Sequence, residues 1–370
     1  MSYNVSANPK QCKVFLLGTS ALVCLALAAP VMADDFVITG SDNSTNGTGT
    51  TNGGTAAAIA DTAINGSDTV SLGIALTTTG TNVGIKTNNN DTEAQSNTVT
   101  VTKTGSITTG TGNNAYGIFN DGAYNTTTVS GSITTAGFFA NGIRNDGNYN
   151  KTTLSGSITT SNDTYAYGIY NLGDSNTTTV SGSITTGTGN SAHGIINIGS
   201  NNTTTVSGSI ATTGSGAVGI NNQGSNNTTT VSGSIKTTGD DGYGIAIYNS
   251  SNTTTVSGSI VTTGSAAHGI VHAGDPSPNT TTISGTVKAT GASSAALSNF
   301  SGSGNSFTLD EGAIIIGDII AAEYGAFSIG ITNSKLIFNL GASTSYAYSV
   351  SGKGEGTGAG QWIFSDLDRS

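Results

Sequence analysis

The chain has 370 residues, 54 of them glycine, and only 9% are charged, where an ordinary globular domain carries about 25%. Its formal net charge is −10, which excludes the clustered Lys/Arg surface that nucleic acid or an anionic membrane requires. So little charge and so much glycine point toward disorder, but abundant Thr, Val and Ile and a periodic sequence oppose it.

Residues 1–33 stand apart. Residues 1–13 are polar, with Lys10 and Lys13 and no acid; residues 14–29 are almost wholly apolar; Pro30-Val31-Met32-Ala33 closes with small residues. That order predicts a cleaved secretory signal peptide. The apolar run of 16 residues falls short of the roughly 20 that span a bilayer. Cys12 and Cys24 both lie in this segment, so the mature chain is expected to have no disulfide. Its balance becomes nine bases against 21 acids, a net charge of −12.

Residues 34–67 read as a polar, flexible N-terminal lead or cap. Residues 41–55 are nearly all Ser, Asn, Thr, Gly and Asp. Regular phase begins at Asp68, with Val70, Leu72 and Ile74 in register.

From there to residue 304 the chain repeats. The phrase Asn-Thr-Thr-Thr-Val-Ser-Gly-Ser-Ile recurs in close copies from Asn125, Asn150, Asn176, Asn202, Asn227 and Asn252. Looser copies start at Asn97 and Asn279, and a degenerate one at Asn305. Successive spacings are 28, 25, 26, 26, 25, 25 and 27 residues. A second phrase lies between them, Ala115-Tyr-Gly-Ile-Phe-Asn-Asp-Gly122 and its counterparts from Ala140, Ala166, Ala192, Ala217, Gly242 and Ala267.

The period within each phrase is two. Val129, Gly131 and Ile133 share one parity, and Thr128, Ser130 and Ser132 the other, which predicts an apolar and a hydroxyl face on one strand. Thr, Ser, Gly and Asn form helices poorly, while Thr and Val suit a pleated surface. A unit of about 25 residues supplies three strands of roughly five and three short turns, one coil of a parallel β-helix. Coils stacked about 4.8 Å apart put each repeat position above itself. The expected fold class is therefore all-β, a single-stranded parallel β-solenoid. A series of hairpins fits less well, because Asp-Gly pairs such as Asp121-Gly122 occur only once per repeat.

The recurring Asn120, Asn145, Asn171, Asn197 and Asn222 are expected to form an inward ladder of side-chain amides. Gly122, Gly147, Gly173, Gly199 and Gly224 follow two residues later, where a turn is expected to need φ > 0. After the signal, proline occurs only at Pro276 and Pro278, in the insertion that lengthens one repeat, where no ladder N–H is sacrificed. Residues 305–370 are more hydrophobic and read as final coils with a C-terminal cap or junction. The single tryptophan, Trp362, lies there.

The signal, the cysteine-free Thr/Gly/Asn-rich body and the pair Val-Ser-Gly-Ser-Ile and Ala-Tyr-Gly-Ile-Tyr-Asn resemble the passenger domains of bacterial autotransporters, proteins of type V secretion. The stretch from Leu309 to Ile319 is similar to their Gly-x-Ile-x-Gly rungs, and Trp362-Ile-Phe-Ser-Asp-Leu367 looks like their passenger–translocator junction. The resemblance implies right-handed coils, export, and a place on the cell surface, at the outer membrane or outside the cell. The resemblance also implies a C-terminal membrane β-barrel, which the sequence does not reach, so the expectation is either a passenger remnant from a truncated gene or a separately encoded translocator, with periplasmic retention if there is none.

Chemistry-bearing residues are sparse. The acids of the regular repeats, Asp121, Asp146, Asp163, Asp174, Asp240, Asp241 and Asp275, mostly occupy turn positions. His193 and His268 share a column three repeats apart, about 14 Å on stacking, too far to share a metal. His272 stands where other coils have Asn and reads as a satisfied ladder position. No calcium-binding glycine repeat or P-loop is present. No catalytic residue, metal site or cofactor is expected. One column, Tyr116, Asn141, Tyr167, His193, Val218, Tyr243 and His268, is either an exposed binding stripe or an inward structural one, with the structural reading favoured. The expected function is a structural or adhesive β-helix meeting glycans or proteins of a host or cell surface. The alternatives are a β-helix carbohydrate-active enzyme, marked by clustered carboxylates and bases on one face, and an inactive remnant.

Overall fold

The computed structural model describes residues 35–38, 69–73, 75–87, 93, 96–273, 278–300, 304–321 and 334–339. The expected signal peptide, most of the polar lead, the insertion at Pro276 and the junction at Trp362 lie outside them. The described chain is a parallel β-solenoid with coils about 26 residues apart, and no α-helix occurs among the described residues.

A typical coil contributes Thr126–Val129, Ser132–Thr135 and Ile143–Asn145 to three different sheets. We call these the threonine, serine and asparagine sheets; they hold 12, 10 and 10 strands. Strands are short, three to five residues, because each coil must turn three times. Every pairing among the described strands is parallel, and all but that of Ala295–Asn299 with Asp318–Ala321, which shifts register, join equivalent positions throughout: Thr152 lies between Thr127 and Thr178, and Ile143 between Ile118 and Ile169. The threonine sheet begins with Asp35–Ile38, paired with Thr69–Leu72, inside the segment expected to be a lead. It ends with Lys335–Asn339 against Ser306–Asp310.

One continuous core fills the interior. Its columns are Val129, Leu154, Val180 and Val206 from the threonine sheet, Ile133, Ile158, Ile184 and Ile210 from the serine sheet, and Ile118, Ile143, Ile169 and Ile195 from the asparagine sheet. Burying each such side chain contributes roughly 1.5–3 kcal/mol, and no coil achieves this without its neighbours.

The interior is more polar than the alternation predicts. Thr127, Thr152, Thr178 and Thr204 point inward beside the valine column, and Thr135, Thr160, Thr186 and Thr212 beside the isoleucines. Each hydroxyl of the second group donates across a corner to a carbonyl five or six residues on: Thr135 to Ala140 at 2.7 Å, Thr160 to Ala166 at 2.8 Å and Thr186 to Ala192 at 2.7 Å. A buried hydroxyl so paired escapes its desolvation penalty.

The asparagine ladder forms as expected. Asn120, Asn145, Asn171 and Asn197 each donate Nδ2 to the next Oδ1 at 2.6–2.8 Å. Each also donates to an inward threonine seven residues on, as Asn145 does to Thr152 at 3.2 Å and Asn171 to Thr178 at 3.1 Å. A second ladder was not expected. Oδ1 of Asn150, Asn176, Asn202 and Asn227 accepts the backbone N–H of the equivalent asparagine one coil earlier, at 2.7 Å each.

The glycine expectation holds only at Gly122, with φ of 137°. In later coils the left-handed residue comes two positions further on, at Tyr149, Ser175, Asn201 and Asn226. Glycine is required there by proximity instead. A Cβ on Gly173 would sit 2.3 Å from the Gly147 carbonyl oxygen, and one on Gly199 2.2 Å from that of Gly173.

Candidate binding face

The column that precedes Gly-Ile is structural. Tyr116, Asn141, Tyr167, His193, Val218 and His268 are all buried and Tyr243 is half-buried. Three polar members do the same work one coil apart from their partners. Asn141 Oδ1 accepts the Tyr167 N–H at 3.0 Å, His193 Nδ1 that of Val218 at 3.0 Å, and His268 Nδ1 that of Ala295 at 2.9 Å. In the neutral His193 ring the proton therefore sits on Nε2, 3.2 Å from the Asn221 side chain, which accepts it only with the amide oxygen turned toward the ring. Burial pushes the pKa of His193 down to about 4 and that of His272 to about 3, and lowers that of His268, where Asp241 acts the other way.

His272 occupies the asparagine column and reproduces half of the asparagine chemistry. Its Nε2 pairs with Thr281 Oγ1 at 2.8 Å and its ring stacks on Phe307 at 4.3 Å, but Nδ1 has no partner. The expectation of a satisfied ladder position is corrected to that extent. The coil below holds Ile247 in register with His272, so no amide reaches up to it.

The outer surface of the asparagine sheet holds what the repeat pattern hid. Successive coils place Lys86, Phe119, Arg144 and Tyr170 in register on it. Cations and rings alternate: Lys86 Nζ lies 5.3 Å from the Phe119 ring, and the Arg144 guanidinium 5.5 Å from Phe119 and 5.1 Å from Tyr170 and from Tyr116. Cation–ring contacts of this kind stabilise by about 0.5–1 kcal/mol at exposed sites. Arg144 also donates to both carboxylate oxygens of Asp146, at 2.6 and 2.7 Å, and to the Tyr116 hydroxyl at 2.7 Å. Lys86 pairs with Asp121 at 3.0 Å. Burial raises the pKa of the Tyr116 phenol, against the pull of Arg144, and raises that of Tyr167.

The two turns that flank this sheet carry more rings. On the side before it, Phe139 and Tyr165 stack at 4.9 Å, with Phe138 edge-on to both and Tyr167 beyond. On the side after it, Tyr124 and Tyr149 stack at 4.9 Å. Phe138, Tyr149 and Tyr165 are 40%, 53% and 37% exposed. Nine aromatic residues fall between positions 116 and 170 and none between 171 and 242, so three coils carry a face that the next two lack.

The remaining acids follow turn chemistry. Asp163 accepts from the Gly137 N–H and the Ser161 hydroxyl, Asp174 from the Ser200 N–H, and Asp240 from the Ser265 N–H; Asp275 lies outside the described residues. No group of three or more His, Cys, Asp and Glu able to hold a metal occurs among the described residues. A shallow groove of about 720 Å³ runs along the Ser-Gly-Ser turns past Ser130, Ser155 and Ser181. Its walls are hydroxyls and backbone, with Lys103 at one end.

No protein-family model, curated protein or solved structure matches the chain. The fold places it among parallel β-solenoids, and the aromatic face is its most distinctive surface.

Proposed function

We propose that the chain is an exported, autotransporter-like passenger, a structural and adhesive solenoid that meets a cell or host surface through one face. The observation that carries this reading is the clustering of rings, three of them exposed, on three consecutive coils of an otherwise hydroxyl- and amide-clad surface. Rings with one open side are the side chains that recognition surfaces favour, because they bury much area at little entropic cost. The N-terminal charged–apolar–small segment supports export. Expression in a Gram-negative host, with and without a partner barrel, tests it by protease accessibility. Surface exposure with the barrel and adhesion of chain-coated beads to cells are expected. Cytoplasmic retention, or beads that bind nothing, would overturn the reading.

One observation favours a second reading. Asp121, Asp146, Lys86, Arg144 and Tyr116 form a carboxylate–cation cluster on one face, the mark expected of a β-helix carbohydrate-active enzyme. Both carboxylates are committed to ion pairs, which serves positioning better than proton transfer. New reducing ends from a polysaccharide, abolished in Asp146→Asn, would replace the adhesive reading with the enzymatic one.

A further inference from the structure

The rings beside the asparagine sheet stand in conformations that rings avoid. Phe139, Tyr165, Tyr124 and Tyr149 have φ of 56°, 58°, 61° and 58°. For a bulky side chain this left-handed region is an outlier, and it costs of order 1–3 kcal/mol for a residue other than glycine. The fold has no need of rings there. Equivalent positions in other coils hold Ser191 and Ala266 in the first turn, and Ser175, Asn201 and Asn226 in the second, at the same φ. Asn adopts this conformation most readily, since its side chain bonds locally. Four strained rings, within three coils and on both borders of one sheet, therefore serve something other than the turn.

The face has a definite chemistry. Its floor rings, Phe119 and Tyr170, are spanned by Arg144. The open ring surface lies on the borders, where Tyr149 and Tyr165 are followed one coil later by the small Ser175 and Ser191. The described surface holds few other exposed large apolar residues, and Leu172 is the only aliphatic one near these rings. A protein partner would need a wider desolvated centre. What surrounds the border rings is mostly Asn, Ser, Thr and backbone amide, with the carboxylates of Asp163 and Asp174. Separate rings set among hydrogen-bonding groups match a sugar, whose C–H face packs on a ring while its hydroxyls take the amides. The Lys86–Asp121 and Arg144–Asp146 charges cancel as pairs, Asp163 and Asp174 add negative charge at the two borders, and the chain's net charge of −10 also repels acidic polymers.

We propose that this face, bordered by Phe139 and Tyr165 on one side and Tyr124 and Tyr149 on the other, is a binding site for neutral glycans. The assignment rests on the adhesive reading and supplies its ligand class. Affinity gel electrophoresis of the full chain tests it, in gels containing a neutral β-glucan, galactomannan or dextran, a uronate polymer, or nothing. Retardation by at least one neutral polymer and none by the uronate polymer is expected. The variant Tyr149→Ser/Tyr165→Ser copies the next coil and should lose retardation at least tenfold, while Thr203→Ser on the threonine face keeps it. Circular dichroism confirms that both remain β structures. Retardation by no neutral polymer, retardation equal in the double variant, or preference for the uronate polymer would overturn the proposal. A double variant that still adheres to cells and is still retarded by the neutral polymer would overturn the glycan site and leave the adhesive reading standing. Intact glycan retardation without cell adhesion would do the reverse.

Discussion

Asn145 donates its side-chain amide to Asn171 at 2.7 Å, and Asn171 passes the same bond to Asn197 at 2.8 Å. Both are fully buried, so the ladder is a chain of polar bonds inside an apolar interior. Removing one member leaves its neighbours unpaired where water cannot reach. Asn171→Ala orphans the Asn197 oxygen and the Thr178 hydroxyl and opens a cavity. It should destabilise the solenoid by about 3 kcal/mol, from orphaned groups at 1–3 kcal/mol each, read as a fall in the urea midpoint. A change under a few tenths of that would show that the ladder is incidental.

The ladder breaks off at Ile247, and the break makes a paired prediction. Ile247 takes the place of asparagine, and Thr254, seven residues on, keeps a buried hydroxyl with no partner. One coil earlier the same hydroxyl, on Thr229, accepts from Asn222 at 2.9 Å. Thr254→Val should therefore stabilise by about 1 kcal/mol and Thr229→Val destabilise by a similar amount. The two melting temperatures should move in opposite directions; shifts of the same sign would refute the assignment.

Acid should weaken the fold through the histidines. Burial holds His193 at about 4 and His272 at about 3, whereas an unfolded histidine titrates near 6.5. As pH falls below 6.5 the unfolded chain gains protons that the folded rings refuse. The stability these residues contribute is complete above pH 6.5 and is lost as pH falls through the folded values, amounting to roughly 3 kcal/mol by pH 4 for His193. His193→Asn/His272→Asn uses residues that other coils place in the same columns. Its urea midpoint should vary less between pH 6.5 and 4 than that of the parent chain. An equal pH dependence in both would contradict the account.

The coil length, the three-strand unit, the first asparagine ladder and the structural column of Tyr116 and His193 were all legible as a period of two inside a period near 25. Inward threonines were not, because a hydroxyl reads as outward until the carbonyl that accepts from it, such as Ala140 for Thr135, is known. The second ladder was hidden because Asn150 and its equivalents bond to backbone, which leaves no pairing signature. The aromatic face left a signal that residue type alone obscured: Tyr124 and Tyr149 are 25 residues apart, Phe139 and Tyr165 are 26. Arg144 and Tyr116 are 28 apart and in different columns, so their contact emerges only when the coil closes.

The central claim is that strained rings were placed on this solenoid for binding and at the expense of stability. Measuring thermal midpoint and glycan affinity together in Tyr149→Asn/Tyr165→Asn tests it most directly. Asparagine relieves the left-handed turns at φ of 58°, so the midpoint should rise or hold while neutral-glycan affinity falls at least tenfold. A midpoint that drops with affinity unchanged would make the rings structural and contradict the claim.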